Sequence, residues 1–423
     1  MKIKFSNAKI LTMNPDSKEI IEGELWVNDS IIEYVGKSKI AGDSFDQEID
    51  VEGNLLMPGF KNAHSHCPMT FARSLADDMS LSEWLNTKIF PLEAKLTPEN
   101  VCVYTKLAYM EYLTSGITAA FDMYYEPDAI IKASLETGFR TVLCGAINNF
   151  KESPEILEEY YQKYNKCSDM ISYKLGFHAE YTTDIGIMEK VAQLAEKYQA
   201  PVYVHNSETQ EEVSTCIQKY GKTPTELFTD LGLYQYGGGA FHGTYLSEQD
   251  MELIKDHKVH VVINSASNTK LASGIAPVTK MIEHDLMLGI GTDGASSNNA
   301  LDMFREMYLT AVLQKAVQKD PAACSADKML YMATVGSAKA MGLYDCDCIA
   351  AGKKADIIMI DLRQPNMQPI NNIVNNLVYS GSKQNVKMTM INGKIVYEDG
   401  KFYTIDKDKV YEQANKMLRT LLG

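Results

Sequence analysis

Eight short apolar runs, each followed by a stretch of helical character, recur through the middle of this chain and constrain its fold most strongly. They lie around residues 55–63, 117–123, 140–147, 172–178, 201–205, 239–242, 258–264 and 286–292. Strands that alternate with helices form a parallel sheet, and eight such units close into a barrel of about 250 residues. We therefore predict an α/β fold with a (β/α)8 barrel at its centre.

The two ends of the chain show a different pattern. Residues 1 to about 55 alternate short β-type runs with turns, and the same character returns from about 345, where Asn392-Gly393 is a hairpin signal. We predict that residues 1–55 and 345–423 together build a small β-sandwich domain, and that residues 56–344 form the catalytic barrel. A chain of 423 residues can hold one large domain and a smaller one.

Polar side chains stand where the predicted barrel strands end. In chain order they are His64 with His66, Asp122, Asn148, His178, His205, His242, Asn264 and Asp293. The C-terminal ends of the strands form the active-site face of such a barrel. Five of the eight histidines in the chain fall in this set, so we expect them to converge on one site.

Four of these side chains can complete a metal site. His64 and His66 are two residues apart in an extended segment, so both rings face the same side. His205 ends the fifth strand, and Asp293 ends the eighth, which adjoins the first in a closed barrel. We predict that these four hold one Zn²⁺, with Fe²⁺ and Mn²⁺ as open alternatives, and that water takes the remaining position. A turn residue is the alternative reading of Asp293, since Thr292-Asp293-Gly294 suits a turn.

Two further residues are candidate catalytic groups. Glu208 follows His205 by three residues, which places a carboxylate near the metal, where it can act as general base and then as general acid. His242 can donate to a developing oxyanion or orient the attacking water. The alternatives are a solvated loop glutamate and a core histidine bonded to the backbone.

The charge and the cysteine content indicate which partners and which cellular compartment to expect for this protein. A net charge of −14 argues against a nucleic-acid or anionic-membrane surface and favours small ligands. The first residues lack the apolar core of a signal peptide, and no apolar run is long enough to cross a bilayer. The eight cysteines are scattered without a Cys-x-x-Cys pair, as in reduced cytoplasmic proteins. We therefore expect a cytoplasmic protein without a nucleic-acid or membrane partner.

Several long motifs resemble the amidohydrolase superfamily, and more closely its methylthioadenosine/S-adenosylhomocysteine deaminase branch. The motifs occupy residues 58–66, 82–85, 90–93, 205–208, 266–278, 291–299 and 352–356. The resemblance covers almost the whole chain. It implies a zinc-dependent hydrolase with one metal per subunit, which deaminates the adenine ring of adenosine or a 5′-modified adenosine to the inosine analogue and ammonia. Because relatives are often oligomeric, a homo-oligomer is also expected.

The resemblance assigns roles residue by residue. The metal ligands are matched by His64, His66, His205 and Asp293. Of the catalytic groups, Glu208 matches the proton shuttle and His242 matches the histidine beside the attacked carbon. In the substrate pocket, Glu93 matches a carboxylate that accepts from the ribose hydroxyls, and His178 matches a histidine of the same pocket. Asp293 is counted among the catalytic groups as well. We add Trp84, from the second motif, and Asn148, from the third strand end, to the predicted substrate-binding residues.

One departure from the resemblance concerns the 5′ end of the substrate. Relatives that read a homocysteine carboxylate carry arginines in the region that spans residues 144–151 here, where only Lys151 is cationic. Lysine does not reproduce the bidentate geometry of arginine. This favours methylthioadenosine, adenosine or 5′-deoxyadenosine over S-adenosylhomocysteine. Two alternatives remain open: the same chemistry on another N-heterocycle (guanine, a pterin or a triazine), and a non-catalytic metal-binding scaffold.

Overall fold

The computed structural model describes residues 1–15, 19–39, 44–75, 77–79 and 81–423, with the backbone alone at 81 and 82. Ser82, which belongs to one of the sequence motifs, therefore has its side chain outside the described part. The strands are β1 (Lys2–Ile10), β2 (Ile21–Asn28), β3 (Ile31–Gly36), β4 (Gln47–Asp50), β5 (Leu55–Pro58), β6 (Phe60–Ser65), β7 (Ile117–Met123), β8 (Arg140–Cys144), β9 (Ile171–Gly176), β10 (Val202–Asn206), β11 (Gly238–His242), β12 (Val259–Ile263), β13 (Met287–Ile290), β14 (Ile357–Ile360), β15 (Val386–Ile391), β16 (Lys394–Glu398) and β17 (Lys401–Phe402).

The helices follow the barrel strands or flank the terminal segments. They are α1 (Leu81–Trp84), α2 (Phe90–Glu93), α3 (Pro98–Thr114), α4 (Pro127–Thr137), α5 (Pro154–Tyr164), α6 (Ile185–Tyr198), α7 (Gln210–Tyr220), α8 (Pro224–Asp230), α9 (Glu248–Asp256), α10 (Ser265–Lys270), α11 (Val278–Glu283), α12 (Met303–Gln318), α13 (Ala326–Tyr331), α14 (Ser337–Met341), α15 (Ile373–Tyr379) and α16 (Lys407–Leu422). In the described part of the chain, no helix combines the length and the apolar character that crossing a membrane requires.

The central sheet is an eight-stranded parallel barrel. Its strands follow one another in chain order from β6 to β13, and each neighbouring pair is parallel. Every residue of β7, β8 and β11 is buried. Parallel strands covered on both faces require such continuous apolar runs. The predicted (β/α)8 barrel is confirmed.

Side chains complete the join between the last barrel strand and the first. The amide nitrogen of Asn62 donates to Thr292 Oγ1 (2.7 Å), and Asn62 Oδ1 accepts from the Thr292 backbone N–H (2.8 Å). One residue further along, the Asp293 N–H donates to the carbonyl of His64 (3.0 Å). This join places His64 and Asp293 side by side at the C-terminal face.

A second, mixed sheet is built from both ends of the chain. Its strand order is β17-β16-β15-β14-β5-β1-β2-β3, and β4 pairs with β1. The antiparallel pair β5–β14 connects the N-terminal strands with the C-terminal ones. The predicted small β unit from both termini is therefore observed, while the domain boundaries at residues 55 and 345 remain a prediction.

One predicted barrel strand is split in two. The apolar run at 55–63 was expected to be a single barrel strand, and that expectation is wrong: β5 lies in the mixed sheet and only β6 lies in the barrel. The break falls at Gly59, where an added Cβ would lie 2.1 Å from the Thr118 methyl group. The Thr118 side chain packs so closely against the backbone of Gly59 that a residue with a Cβ would clash there.

A buried ion cluster links the barrel to the mixed sheet. Arg140, on β8, donates from Nε and Nη2 to the two carboxylate oxygens of Asp356 (2.8 and 3.0 Å). Lys61 Nζ, on β6, lies 3.6 Å from the same carboxylate, and the Asn392 N–H donates to it (2.8 Å). Asp356 directly precedes β14, so this buried ion cluster joins the mixed sheet to strands β6 and β8 of the barrel.

Candidate metal centre and active site

The predicted site residues meet at the C-terminal face of the barrel. His64 lies near the end of β6, His205 near the end of β10, His242 at the end of β11, and Asp293 three residues beyond β13. A pocket at this face is lined by His66, Met69, Trp84, Leu85, Phe90, Glu93, Met123, Tyr124, Tyr125, Ala146, His178, Tyr181, His205, Glu208, His242, Leu271, Asp293 and Ser297. Residues from separate strands therefore line one cavity.

The potential metal ligands form two overlapping groups that share His64. One ligand atom each from His64, His66 and Asp293 lies within 4.8 Å of the others, and the same holds for His64, His205 and His242. The Nε2 atoms of His66 and His64 lie 3.3 and 3.6 Å from Asp293 Oδ1. Three of the four predicted ligands therefore form one group, while His205 shares the other group with His64 and His242.

Backbone carbonyls orient the rings of two of these histidines. The Nδ1–H of His66 donates to the Met123 carbonyl, and the Nδ1–H of His205 donates to the His178 carbonyl, both over 2.7 Å. A carbonyl can only accept, so the proton is on Nδ1 and the lone pair is on Nε2. Metal-binding histidines are held in this way by a partner on the second ring nitrogen.

His64 provides the test of whether these residues fit a cation. Its ring is fully buried, and neither nitrogen has a hydrogen-bond partner among the described residues. Burial and the charge on His66 lower its pKa well below the ordinary value. An unpartnered buried imidazole is costly, and a metal ion would satisfy it. Three imidazoles and one carboxylate are also a donor set that zinc accepts.

Asp293 is held as an ionised carboxylate by its surroundings. Ser267 Oγ and Ser297 Oγ donate to its Oδ2 (2.5 and 2.8 Å), and the Gly294 N–H donates to Oδ1 (2.8 Å). Burial opposes its ionisation, but the hydrogen bond and charge from His66 bring its pKa well below the usual range. Its backbone is left-handed, with φ of 58°. Such strained positions cluster at functional sites.

Glu208 lies beside His242 in the same pocket. Its Oε2 is 3.9 Å from His242 Nε2, and the His242 Nδ1–H donates to Asn268 Oδ1 (2.7 Å). Burial raises the pKa of Glu208. A buried carboxylate with a raised pKa, next to a potential metal centre, is suited to carry protons in both directions.

Three predicted substrate-binding residues line the wall of the pocket. Glu93 accepts from the Tyr124 hydroxyl (2.6 Å), and burial raises the pKa of Glu93. The Nδ1 of His178 is bonded to Thr182 Oγ1 (2.9 Å), which leaves Nε2 for other contacts. The indole N–H of Trp84 is buried and has no partner among the described residues. These side chains offer a mixed set of donors and acceptors to a ligand.

Asn148 does not belong to the wall of the pocket. Its Oδ1 accepts from the N–H groups of Phe150 and Lys151 (2.8 and 3.0 Å), and its Nδ2 donates to the Tyr125 hydroxyl (2.7 Å). Its carbonyl and amide groups are therefore engaged in a turn. Asn148 thereby supports Tyr125, which lines the pocket, and a direct contact between Asn148 and substrate stays a prediction.

Glu212 is a residue of the site that the sequence interpretation missed. It lies on the first turn of α7, and its two oxygens accept from the backbone N–H groups of Ser207 and Glu208 (2.8 and 2.7 Å). The signal was present as the spacing of Thr209 and Glu212, which fits a capping box at a helix start.

Comparisons with known proteins agree with this geometry. The chain is 38% identical over 430 residues to a 5-methylthioadenosine/S-adenosylhomocysteine deaminase of Syntrophomonas wolfei, with 100% of both chains covered. It is 37% identical to a 5′-deoxyadenosine deaminase of Methanobrevibacter smithii, with 97% of this chain and 96% of the relative covered. A crystal structure of an adenosine deaminase from Xanthomonas campestris with bound zinc matches with a TM-score of 0.93 and 31% identity, over 99% of this chain and 98% of that chain. The model of the amidohydrolase family matches residues 55–396, and the chain belongs to that family.

Proposed function

We propose that this protein is a metal-dependent deaminase that hydrolyses the adenine ring of adenosine or a 5′-modified adenosine to the inosine analogue and ammonia. One observation carries the proposal: a potential metal centre, a buried proton-carrying carboxylate and Glu93 line the same pocket. Two relatives that are named as deaminases of adenosine derivatives support the proposal.

His64, His66, His205 and Asp293 are the residues that we propose as ligands of one Zn²⁺. A divalent ion held there would activate a water molecule by lowering its pKa. The donor set of three imidazoles and one carboxylate supports zinc, as does the zinc bound to the adenosine deaminase from Xanthomonas campestris. Fe²⁺ and Mn²⁺ are outcomes that metal analysis would distinguish.

Glu208 moves protons in the proposed reaction. It takes a proton as the water oxygen bonds to the ring carbon that carries the amino group, and it protonates the adjacent ring nitrogen. His242, held through Nδ1 by Asn268, faces Glu208, and as an imidazolium it can donate from Nε2 to the oxygen that is added. Asp293 orients the attacking water through its carboxylate. The added hydroxyl then gives its proton to the amino group, again through Glu208, and the carbon–nitrogen bond breaks to release ammonia as the oxygen becomes the carbonyl of the inosine analogue.

Glu93, His178 and Trp84 are proposed to bind the nucleoside. Glu93 can accept from ribose hydroxyls with the oxygen that Tyr124 does not occupy, while the free nitrogens of His178 and Trp84 can bond to the base or sugar. A hydrogen-bonding site of this kind rejects analogues that lack the matching group. This favours nucleosides over bare bases such as guanine.

The outer wall of the pocket favours a short, uncharged 5′ substituent. Its described lining includes Met69, Leu85, Phe90 and Leu271 but no arginine or lysine. The Lys151 ammonium lies over the Tyr125 ring, 4.1 Å from its centroid. We therefore propose 5′-deoxyadenosine, methylthioadenosine and adenosine as better substrates than S-adenosylhomocysteine.

We further propose a cytoplasmic homo-oligomer without nucleic-acid or membrane partners. The net charge of −14 supports the absence of polyanionic partners, and the free state of all eight cysteines, each within the described residues, supports a reducing compartment. Light scattering of the purified protein would test the oligomer.

Ammonia release across five compounds tests the proposed function. The panel is methylthioadenosine, 5′-deoxyadenosine, adenosine, S-adenosylhomocysteine and guanine, with the zinc-loaded protein. We expect the first three to release ammonia, S-adenosylhomocysteine to have a kcat/KM at least about tenfold lower, and guanine to be inert. Release from guanine alone would move the assignment to another ring, and no release from any compound by a metal-loaded protein would favour a binding scaffold.

A further inference from the structure

Glu212 directs both ends of its carboxylate at the backbone that carries Glu208. Oε1 accepts from the Ser207 N–H (2.8 Å), and Oε2 accepts from the Glu208 N–H (2.7 Å) and, more weakly, the Thr209 N–H (3.3 Å). Three successive donors of the segment between β10 and α7 therefore end on one side chain. An ordinary capping box uses only the last of these contacts.

The segment held by Glu212 is strained and buried. Ser207 is fully buried and has a left-handed backbone with φ of 53°, which is unfavourable for serine. The chain turns here from His205, one of the proposed ligands, to Glu208, which faces His242. The direction of this turn therefore determines where the Glu208 carboxylate lies.

The charges around Glu212 make a carboxylate an expensive choice at this position. Glu212 is buried, and burial together with the nearby Glu208 and Glu180 raises its pKa, while the hydrogen bonds from the Glu208 and Ser207 N–H groups favour its ionised form. Glutamine would avoid the repulsion, but its amide nitrogen cannot accept from an N–H. Only a carboxylate presents acceptors at both ends, which matches the observed contacts.

We propose that Glu212 is a positioning residue of the deaminase site, which holds the Ser207–Glu208 backbone so that the Glu208 carboxylate faces His242 and the substrate. This inference rests on the proposed function. Glu212 does not line the pocket itself, so it acts through Glu208. Its loss should therefore lower turnover more than substrate binding or metal content.

The chain offers two matched comparisons. Glu226 occupies the same place in the capping box at the start of α8, and it accepts from the Thr223 N–H alone (2.8 Å). Asp250 is the corresponding third residue in the capping box at the start of α9. An aspartate can therefore cap a helix in this chain, although it is one methylene too short to span the contacts of Glu212.

The experiment compares Glu212→Asp and Glu212→Gln with Glu226→Gln. For the Glu212 variants we expect kcat for methylthioadenosine to fall about 10- to 100-fold, with KM changed less than about threefold and one metal per chain retained. Glu226→Gln should keep the wild-type kcat. Equal thermal destabilisation of all three variants with unchanged kcat would show that Glu212 is only a helix cap and would overturn the proposal.

Hydrogen exchange separates this inference from the proposed function. The amides of residues 207–209 should exchange at least about tenfold faster in Glu212→Asp than in the wild type or Glu226→Gln, whether or not any nucleoside is deaminated. Unchanged exchange at these amides would contradict the backbone role of Glu212. If Glu212→Gln does not fold, Glu212→Asp alone decides between the outcomes, because it keeps the cap.

Discussion

His64 shows at the scale of a single residue why a cation belongs in this pocket. It stacks on Phe241 with ring centroids 3.9 Å apart, and its two nitrogens find no partner among the described residues. Two of the other proposed ligands, His66 and His205, are each tied by Nδ1 to a backbone carbonyl oxygen. Their free Nε2 atoms and the ionised Asp293 meet beside His64, where a metal ion would satisfy all of them.

Glu208→Gln tests the proton carrier. The variant keeps the size and polarity of the side chain but cannot take up a proton, so we expect turnover to fall about 10²- to 10⁴-fold. Metal content should equal that of the wild type, because Glu208 does not belong to either group of potential ligands. Ammonia release and elemental analysis on the same sample measure both.

The control for this prediction is Glu211→Gln, since Glu211 is an exposed glutamate on the same helix start. It should leave turnover unchanged. Turnover of Glu208→Gln within about threefold of the wild type would remove Glu208 from the mechanism.

The sequence was informative about the residues at strand ends and less informative about the residues that hold them in place through hydrogen bonds. His64, His66, His205, His242 and Asp293 could be found because barrel topology brings strand ends together whatever the loops do. The position of Asn148 at a strand end does not reveal that a tight turn uses its side chain. Glu212 was missed because a capping box is a local signal, whereas its contacts with Ser207 and Glu208 depend on how the preceding loop folds.

At the scale of elements, the join between β6 and β13 matters most for the site. The side chain of Asn62 bridges both the backbone and the hydroxyl of Thr292. His64 follows Asn62 by two residues, and Asp293 directly follows Thr292. The ligands from the first and last strands are therefore aligned by one amide group.

Asn62→Ala tests this alignment. The variant loses two buried hydrogen bonds at about 1–3 kcal/mol each, so we expect the free energy of unfolding to fall by roughly 2–6 kcal/mol. Metal should also dissociate faster, because His64 and Asp293 flank the lost contact. Denaturant unfolding and metal release to a chelator give the two values.

Asn165→Ala serves as the comparison for the Asn62 variant. Asn165 also bonds through its side chain to backbone N–H and carbonyl groups, those of Tyr173, but it does not line the pocket. The Asn165→Ala variant should have a lower free energy of unfolding than the wild type, without a change in the rate of metal release. Metal release from Asn62→Ala at the wild-type rate would show that the join does not position the ligands.

The boundary between the two sheets shows what an apolar pattern leaves undetermined. Residues 55–63 read as one strand because the run is continuous and both halves are buried. The change of sheet at Gly59 arises from close packing against Thr118, a residue remote in sequence. Periodicity reports burial, but it does not report which sheet a strand joins.

At the scale of the whole molecule, Asp356 links the barrel to the terminal sheet. Burial opposes ionisation of Asp356, but the charges of Arg140 and Lys61 hold its pKa far below the ordinary value. A lowered carboxyl pKa contributes stability that is present above about pH 4 and is lost as the pH falls toward the folded-state pKa. Measurements at neutral pH therefore include the whole contribution.

Asp356→Asn should destabilise the protein strongly. It leaves the buried cations Arg140 and Lys61 without a counter-charge, and breaking a buried pair in this way costs about 3–5 kcal/mol. The comparison is Arg363→Gln, which breaks the exposed pair with Glu52 and should cost at most about 1 kcal/mol. Equal, small losses in denaturant unfolding at pH 7 would show that the cluster does not hold the two sheets together.

Titration of metal into metal-depleted protein tests most directly whether the four strand-end ligands drive deamination. Ammonia release from methylthioadenosine is measured as Zn²⁺ is added, in the wild type and in His66→Ala. We predict no release without metal, a linear rise that saturates at one Zn²⁺ per chain, and little recovery in His66→Ala at the same ratio. Full activity in protein verified to be free of metal, or wild-type recovery in His66→Ala, would contradict a catalytic metal held by these residues.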